Sequence, residues 1–76
     1  MKHLRTPKHR ALIAAIVAAR KRAGLTQREL ALKMKRSNSF VWKIEAGERR
    51  VDSLELIEIG RALDTKGSKL LAEAEG

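Results

Sequence analysis

The chain has 76 residues, room for one domain with one modest core and too few to enclose a catalytic pocket easily. It contains no cysteine, which excludes disulfides and thiolate metal sites and fits a reducing compartment. The net charge of +8 is segregated: through Arg50 there are 14 Lys/Arg against 3 Asp/Glu, and from Val51 onward 3 against 6. Charge that served only solubility would have no reason to segregate. The first two thirds therefore read as a surface for a polyanion, of which a nucleic-acid backbone is the commonest.

Residues 1–7 read as a flexible basic arm and residues 8–76 as the folded domain. His3 and His9 lie in this basic stretch, far from any carboxylate pair at ligand spacing, and read as solvated. No metal, cofactor or small-molecule ligand is expected. Basic residues up to Arg10, followed by an apolar run over 11–19, mimic a signal peptide. Arg20-Lys21-Arg22 stand where a cleavage site needs small neutral residues, however, and the run is too short to span a bilayer. Neither export nor a membrane span is expected; the predicted location is the cytoplasm, on the nucleoid.

Pro7 suits a helix start, where its missing N–H would have no partner. The first predicted helix covers 8–23, with Leu12, Ile13, Ile16 and Val17 on one stripe, and Gly24 ends it in a left-handed conformation. Thr26-Gln27-Arg28-Glu29 has the spacing of a capping box, with Leu25 and Leu30 as the hydrophobic staple. A second helix runs from there to Met34, burying Leu30, Ala31 and Met34. After the two-residue connection Lys35-Arg36, Ser37 is a good N-cap for a third helix over 38–46, with Phe40, Val41 and Ile44 inward and Gly47 as its stop. Asp52 and Glu55 repeat the box with Val51 and Leu56 as staple. A fourth helix follows to Leu63, with Leu56, Ile59, Gly60 and Leu63 inward. Gly60 costs helix propensity, roughly 1 kcal/mol, which argues for a close helix crossing. Ser68 caps a last helix to Glu75 that carries Leu70 and Leu71. No segment alternates as a strand does, so the expected class is all-α with five helices.

Two short helices joined by a tight turn are the helix-turn-helix geometry. The third helix would then be the one that reads DNA. Opposite its apolar face it offers Asn38, Ser39, Trp42 and Lys43, which align along one side of a helix. The expected base contacts are Asn38 pairing with adenine, Ser39 meeting a base edge or phosphate, Lys43 reaching guanine or phosphate, and Trp42 lying against a thymine methyl or sugar. Each also has a plainer reading, as a surface or interface residue. The amide ends of the second and third helices are natural phosphate seats, which makes Gln27, Arg28 and Ser37 candidate phosphate contacts. Arg49 and Arg50 would clamp the backbone beyond the third helix, setting position without reading sequence.

The stretch from Leu25 to Leu63 resembles the lambda-repressor/Cro-type helix-turn-helix family, also called the xenobiotic-response-element family. The resemblance is carried by "GLTQRELALKM", then "SNSFVWKIEAGERR", then "LIEIGRAL". It implies a compact five-helix DNA-binding domain in which Gln27, Asn38, Ser39, Trp42 and Lys43 fall at positions that usually touch DNA. It also implies that Glu45 is structural, paired with Arg20. Three residues depart from the family pattern. Lys35 stands where the turn usually has glycine; a left-handed lysine costs on the order of 1 kcal/mol, which argues for a turn of different shape. Asp64 replaces the glycine often found after the fourth helix, and Trp42 is unusual at its position.

The expected function is a sequence-specific regulator of transcription, most simply a repressor, acting on double-stranded DNA as a homodimer with half-sites about one helical turn apart. Leu63, Leu70 and Leu71 are the expected dimer surface. An antitoxin that binds a toxin protein and represses its own promoter is the alternative, and a non-specific nucleoid protein is a third class. No carboxylate pair, nucleophile–base set or phosphate loop supports an enzyme.

Overall fold

The computed structural model describes residues 6–76; the expectations for residues 1–5, including His3, lie outside the described residues. Five α-helices follow in order: α1 (Pro7–Arg22), α2 (Gln27–Lys33), α3 (Asn38–Glu45), α4 (Ser53–Ala62) and α5 (Gly67–Glu75). Thr6 and Pro7, assigned above to the arm, belong to the folded part. The Thr6 hydroxyl accepts from the His9 amide at 3.2 Å and Pro7 is the first helical residue.

The two capping boxes form as the sequence predicts. Thr26 accepts from the Glu29 amide at 3.1 Å and Glu29 accepts from the Thr26 amide at 2.8 Å. Asp52 and Glu55 repeat the exchange at 2.7 and 3.1 Å. Two caps differ from expectation. Ser37 occupies the N-cap of α3, but its hydroxyl pairs with that of Ser39 at 3.1 Å and makes no cap bond. Ser68 does not start α5. Lys66 is the N-cap and Gly67 the first helical residue, and neither offers a capping side chain.

The first four helices all end the same way. In each, the two residues after the cap turn their amides back onto the last turn: Gly24 to Lys21 and Leu25 to Arg20, Lys35 to Leu32 and Arg36 to Ala31, Gly47 to Ile44 and Glu48 to Lys43, Asp64 to Arg61 and Thr65 to Gly60. This Schellman pattern needs a left-handed residue. Gly24 and Gly47 supply it at φ 74° and 77°, and Lys35 and Asp64 adopt it at φ 58° and 60°. The turn between α2 and α3 therefore keeps its left-handed shape despite the lysine, contrary to the expectation above.

Helix α1 packs on α5 and α3, α2 on α3, and α4 on α5. The core gathers Ala15, Ile16, Ala19, Leu30, Ala31, Phe40, Val41, Ile44, Leu56, Ile59, Leu63 and Leu70, flanked by Leu12, Leu25, Met34 and Val51. On α1 the inner stripe is thus Ala15, Ile16 and Ala19, with half-buried Leu12 packed against them; Ile13 and Val17 are half-buried outside the core cluster. The small alanines let α1 approach its neighbours closely, and a stripe read from large residues alone misses them. Leu63 and Leu70 are 5% and 1% exposed, so both are core and neither forms a dimer surface. The close crossing expected at Gly60 is present. A Cβ there would stand 2.6 Å from the Gly67 amide nitrogen, and a Cβ on Gly67 would stand 2.9 Å from the Leu56 carbonyl oxygen. The two glycines let the start of α5 lie against the backbone of α4, and this contact fixes where α5 begins.

Candidate nucleic-acid interface

Helix α3 divides sharply. Phe40, Val41 and Ile44 are buried, while Asn38, Ser39 and Lys43 are exposed and Trp42 keeps 49% of its surface in solvent. Burying the apolar side holds the polar side outward as a rigid row. An α-helix with side chains is about 10–12 Å across, which matches a B-DNA major groove about 12 Å wide.

The end of α3 is locked to α1. Arg20 Nε and Nη2 donate to Glu45 Oε2 and Oε1 at 2.7 and 3.0 Å, and both side chains are largely buried. Arg20 Nη1 donates to the Leu25 carbonyl at 2.8 Å. Gln27 Nε2 donates to Glu45 Oε1 at 2.8 Å, so this side chain is committed to the lock and is only half-exposed. The Glu45 carboxylate therefore ties α1 and the first residue of α2 to the end of α3, and Arg20 ties in the turn before α2. Removing one partner of so buried a pair costs about 3–5 kcal/mol.

A second cluster, which the sequence reading did not find, flanks α3 on the α4 side. Glu55 is 7% exposed. Arg49 donates to it through both Nη atoms at 2.9 and 2.8 Å, and Arg36 Nη1 stands 3.6 Å away. Arg36 also donates to Glu58 at 3.2 Å. Both guanidiniums lie over the Phe40 ring, 4.6 and 4.7 Å from its centroid, a cation–π geometry. The hydrogen bonds from Arg49 outweigh burial and hold the Glu55 carboxyl at a pKa of about 2. The only local signal for Glu55 is its place in the Asp52 capping box; its arginine partners are spatial neighbours that no periodicity reports. Arg49, expected to clamp phosphate, is bound by Glu55 and anchors the loop before α4.

Arg28 and Arg50 are exposed and make no side-chain hydrogen bond among the described residues. His9, expected to be solvated, is half-buried, and its Nε2 is sealed from water with no partner among the described residues. Burial first, and then the charge of Arg50, lowers its pKa. Among the described residues, no helix is long and apolar enough to cross a membrane.

Residues 11–72 match the helix-turn-helix domain family. No curated protein sequence matches the chain. Among solved structures, the chain is similar to an XRE-family like protein from Pseudomonas syringae pv. tomato, at 40% identity and a TM-score of 0.83, over 90% of this chain and 83% of that one. It is also similar to the clp gene regulator ClgR of Corynebacterium glutamicum, at 32% identity and a TM-score of 0.81, over 93% of this chain and 90% of that one.

Proposed function

Since the chain belongs to the XRE-type helix-turn-helix family of DNA-binding proteins, we propose that it is a sequence-specific transcriptional repressor that seats α3 in the major groove of double-stranded DNA as a homodimer. The observation that carries this reading is the division of α3: its apolar side is sealed in the core, and Asn38, Ser39, Trp42 and Lys43 stand together on the exposed side. The basic character of the chain up to Arg50 supplies the long-range attraction. Similarity to a clp gene regulator supports a regulatory role over a purely architectural one.

Base reading falls to Asn38, Ser39, Trp42 and Lys43. Backbone contacts fall to Arg28, Ser37, Arg49 and Arg50, with Gln27 contributing less because Glu45 already holds its amide. With Leu63 and Leu70 in the core, the dimer face moves to the large apolar groups left outside on α4 and α5, rather than to Leu32, which is exposed on α2. Leu54 and Ile57 are 70% and 51% exposed, one turn apart on α4, and Leu71 is 49% exposed on α5. Gly67 packs against Ile57, and Leu71 follows one turn later on α5.

Selection of bound duplexes from a random-sequence library, at a stated salt concentration and with stoichiometry read on the same complexes, tests the reading. A two-fold-symmetric site bound by two chains is expected; a pool that stays random, or one chain per site, contradicts it. In the same assay Asn38→Ala relaxes one base position in each half-site. Arg50→Ala instead weakens binding to all sequences and makes the salt slope shallower by about 0.9, the value for one phosphate contact. The reverse pattern would exchange their roles.

A further inference from the structure

Arg36, Phe40, Arg49, Glu55 and Glu58 form a cluster that the base-reading row does not use. A guanidinium carries five N–H groups arranged in edges, each able to meet a pair of oxygens. Arg49 gives its Nη1/Nη2 edge to the two Glu55 oxygens and its remaining Nη1 hydrogen to the Arg50 carbonyl at 2.8 Å. Among the described residues nothing takes the Nε hydrogen or the second Nη2 hydrogen, a parallel pair that matches two phosphate oxygens. Arg36 and Arg49 line one groove with Ser37, Ser39, Lys43 and one carboxylate, Glu48, beside the exposed row of α3. Phe40 beneath them is 6% exposed and gives both guanidiniums a flat surface to rest on.

Charge alone gives no reason to place a carboxylate here, because a negative group beside a polyanion's seat weakens the attraction. Orientation does. Resting on the DNA-binding reading above, we propose that Glu55 is a positioning residue for DNA binding: it holds one edge of Arg49 so that the other edge, with Arg36 beside it, takes a backbone phosphate next to α3. Glu55 touches no DNA itself. It acts from the first turn of α4, where the Asp52 capping box fixes its carboxylate by a 3.1 Å bond from the Asp52 amide.

The test uses the full chain and the duplex selected from the random library, with affinity measured by fluorescence anisotropy over a salt series and folding checked by thermal melting. Glu55→Gln makes the protein more positive by one charge. Positioning nevertheless requires it to bind the selected duplex about tenfold more weakly, as loss of one well-aligned charged contact does, with a salt slope shallower by about 0.9. Arg49→Lys keeps the charge but has no second edge, and a comparable loss is expected. Should Glu55→Gln fail to fold, Arg49→Lys decides. Either folded variant binding as tightly as the wild type, or more tightly, overturns the proposal. A wild-type chain that prefers no duplex sequence overturns the reading beneath it instead, before any variant is measured.

Discussion

Lys35 and Asp64 hold a backbone conformation that L-residues other than asparagine and aspartate rarely adopt, at φ 58° and 60°. Each is kept there by the two amide bonds that close its helix end. Replacing Lys35 with glycine removes the Cβ clash but gives the unfolded chain more freedom, so the net gain is about 0.5–1 kcal/mol. Urea unfolding of Lys35→Gly is expected to show a raised midpoint at unchanged slope; an unchanged or lowered midpoint would mean that the strain in the turn is no larger than the freedom glycine adds to the unfolded chain. Asp64→Gly should gain less, because aspartate tolerates this conformation better than lysine.

Titration of individual residues sets the acid stability. His9 has a lowered pKa in the folded chain, so its contribution is intact above the ordinary histidine value and declines as pH falls below it. Glu55 has the larger effect. Its carboxyl falls from 4.5 to about 2 on folding, so its contribution is complete above pH 4.5 and is lost as pH drops toward 2. The linked stability is about 3 kcal/mol at most. Glu55→Gln is expected to be less stable at pH 7 and to lose less further stability between pH 4.5 and 2 than the wild type; parallel curves for the two proteins would contradict this role.

At the scale of elements, what could be read from the sequence was what neighbouring residues decide. Thr26 with Glu29, and Asp52 with Glu55, signal two helix starts because the capping box is closed by residues three apart. Gly24 and Gly47 signal two helix ends for the same local reason. Ser37 and Ser68 show where that logic fails. A hydroxyl at a plausible start is a candidate cap, but at Ser37 it pairs with Ser39, and at Ser68 the helix has already begun because Gly67 must lie on α4. The Gly60–Gly67 crossing was half visible: the propensity penalty of Gly60 pointed to a contact, while its partner lies seven residues away across a turn. Gly60→Ala makes a direct test, since alanine is the better helix former by about 1 kcal/mol. With 2.6 Å to the Gly67 nitrogen, the variant is nevertheless expected to lose about 2–3 kcal/mol by overpacking. A stabilised Gly60→Ala would show that α4 and α5 separate at little cost.

For the whole molecule, the five helices and the outward row on α3 were legible because both follow from the period of apolar residues. The supports of that row were not. Arg49 and Glu55 are close in sequence, but Arg36 comes from the turn before α3 and Phe40 from its buried face; only the packing of α3 on the rest brings the four together. Leu63 and Leu70 were misplaced on a dimer face because hydrophobicity alone does not say whether a leucine near the end of a chain is buried by its own domain or by a second copy. The fold places the acidic final third on α4 and α5, while the basic part includes α1, α2 and α3. Attraction to a polyanion and the orientation of the row thus come from the same part of the fold.

Trp42 is the single tryptophan of the chain and sits half-exposed at the middle of that row. Titration of its fluorescence with the selected duplex, with acrylamide quenching measured free and bound, reports directly on whether α3 enters the groove. The expected result is a saturable change in emission and loss of quencher access at the concentration where binding saturates. Emission and quencher access that stay the same while the duplex is demonstrably bound would place the DNA on another face and contradict the account.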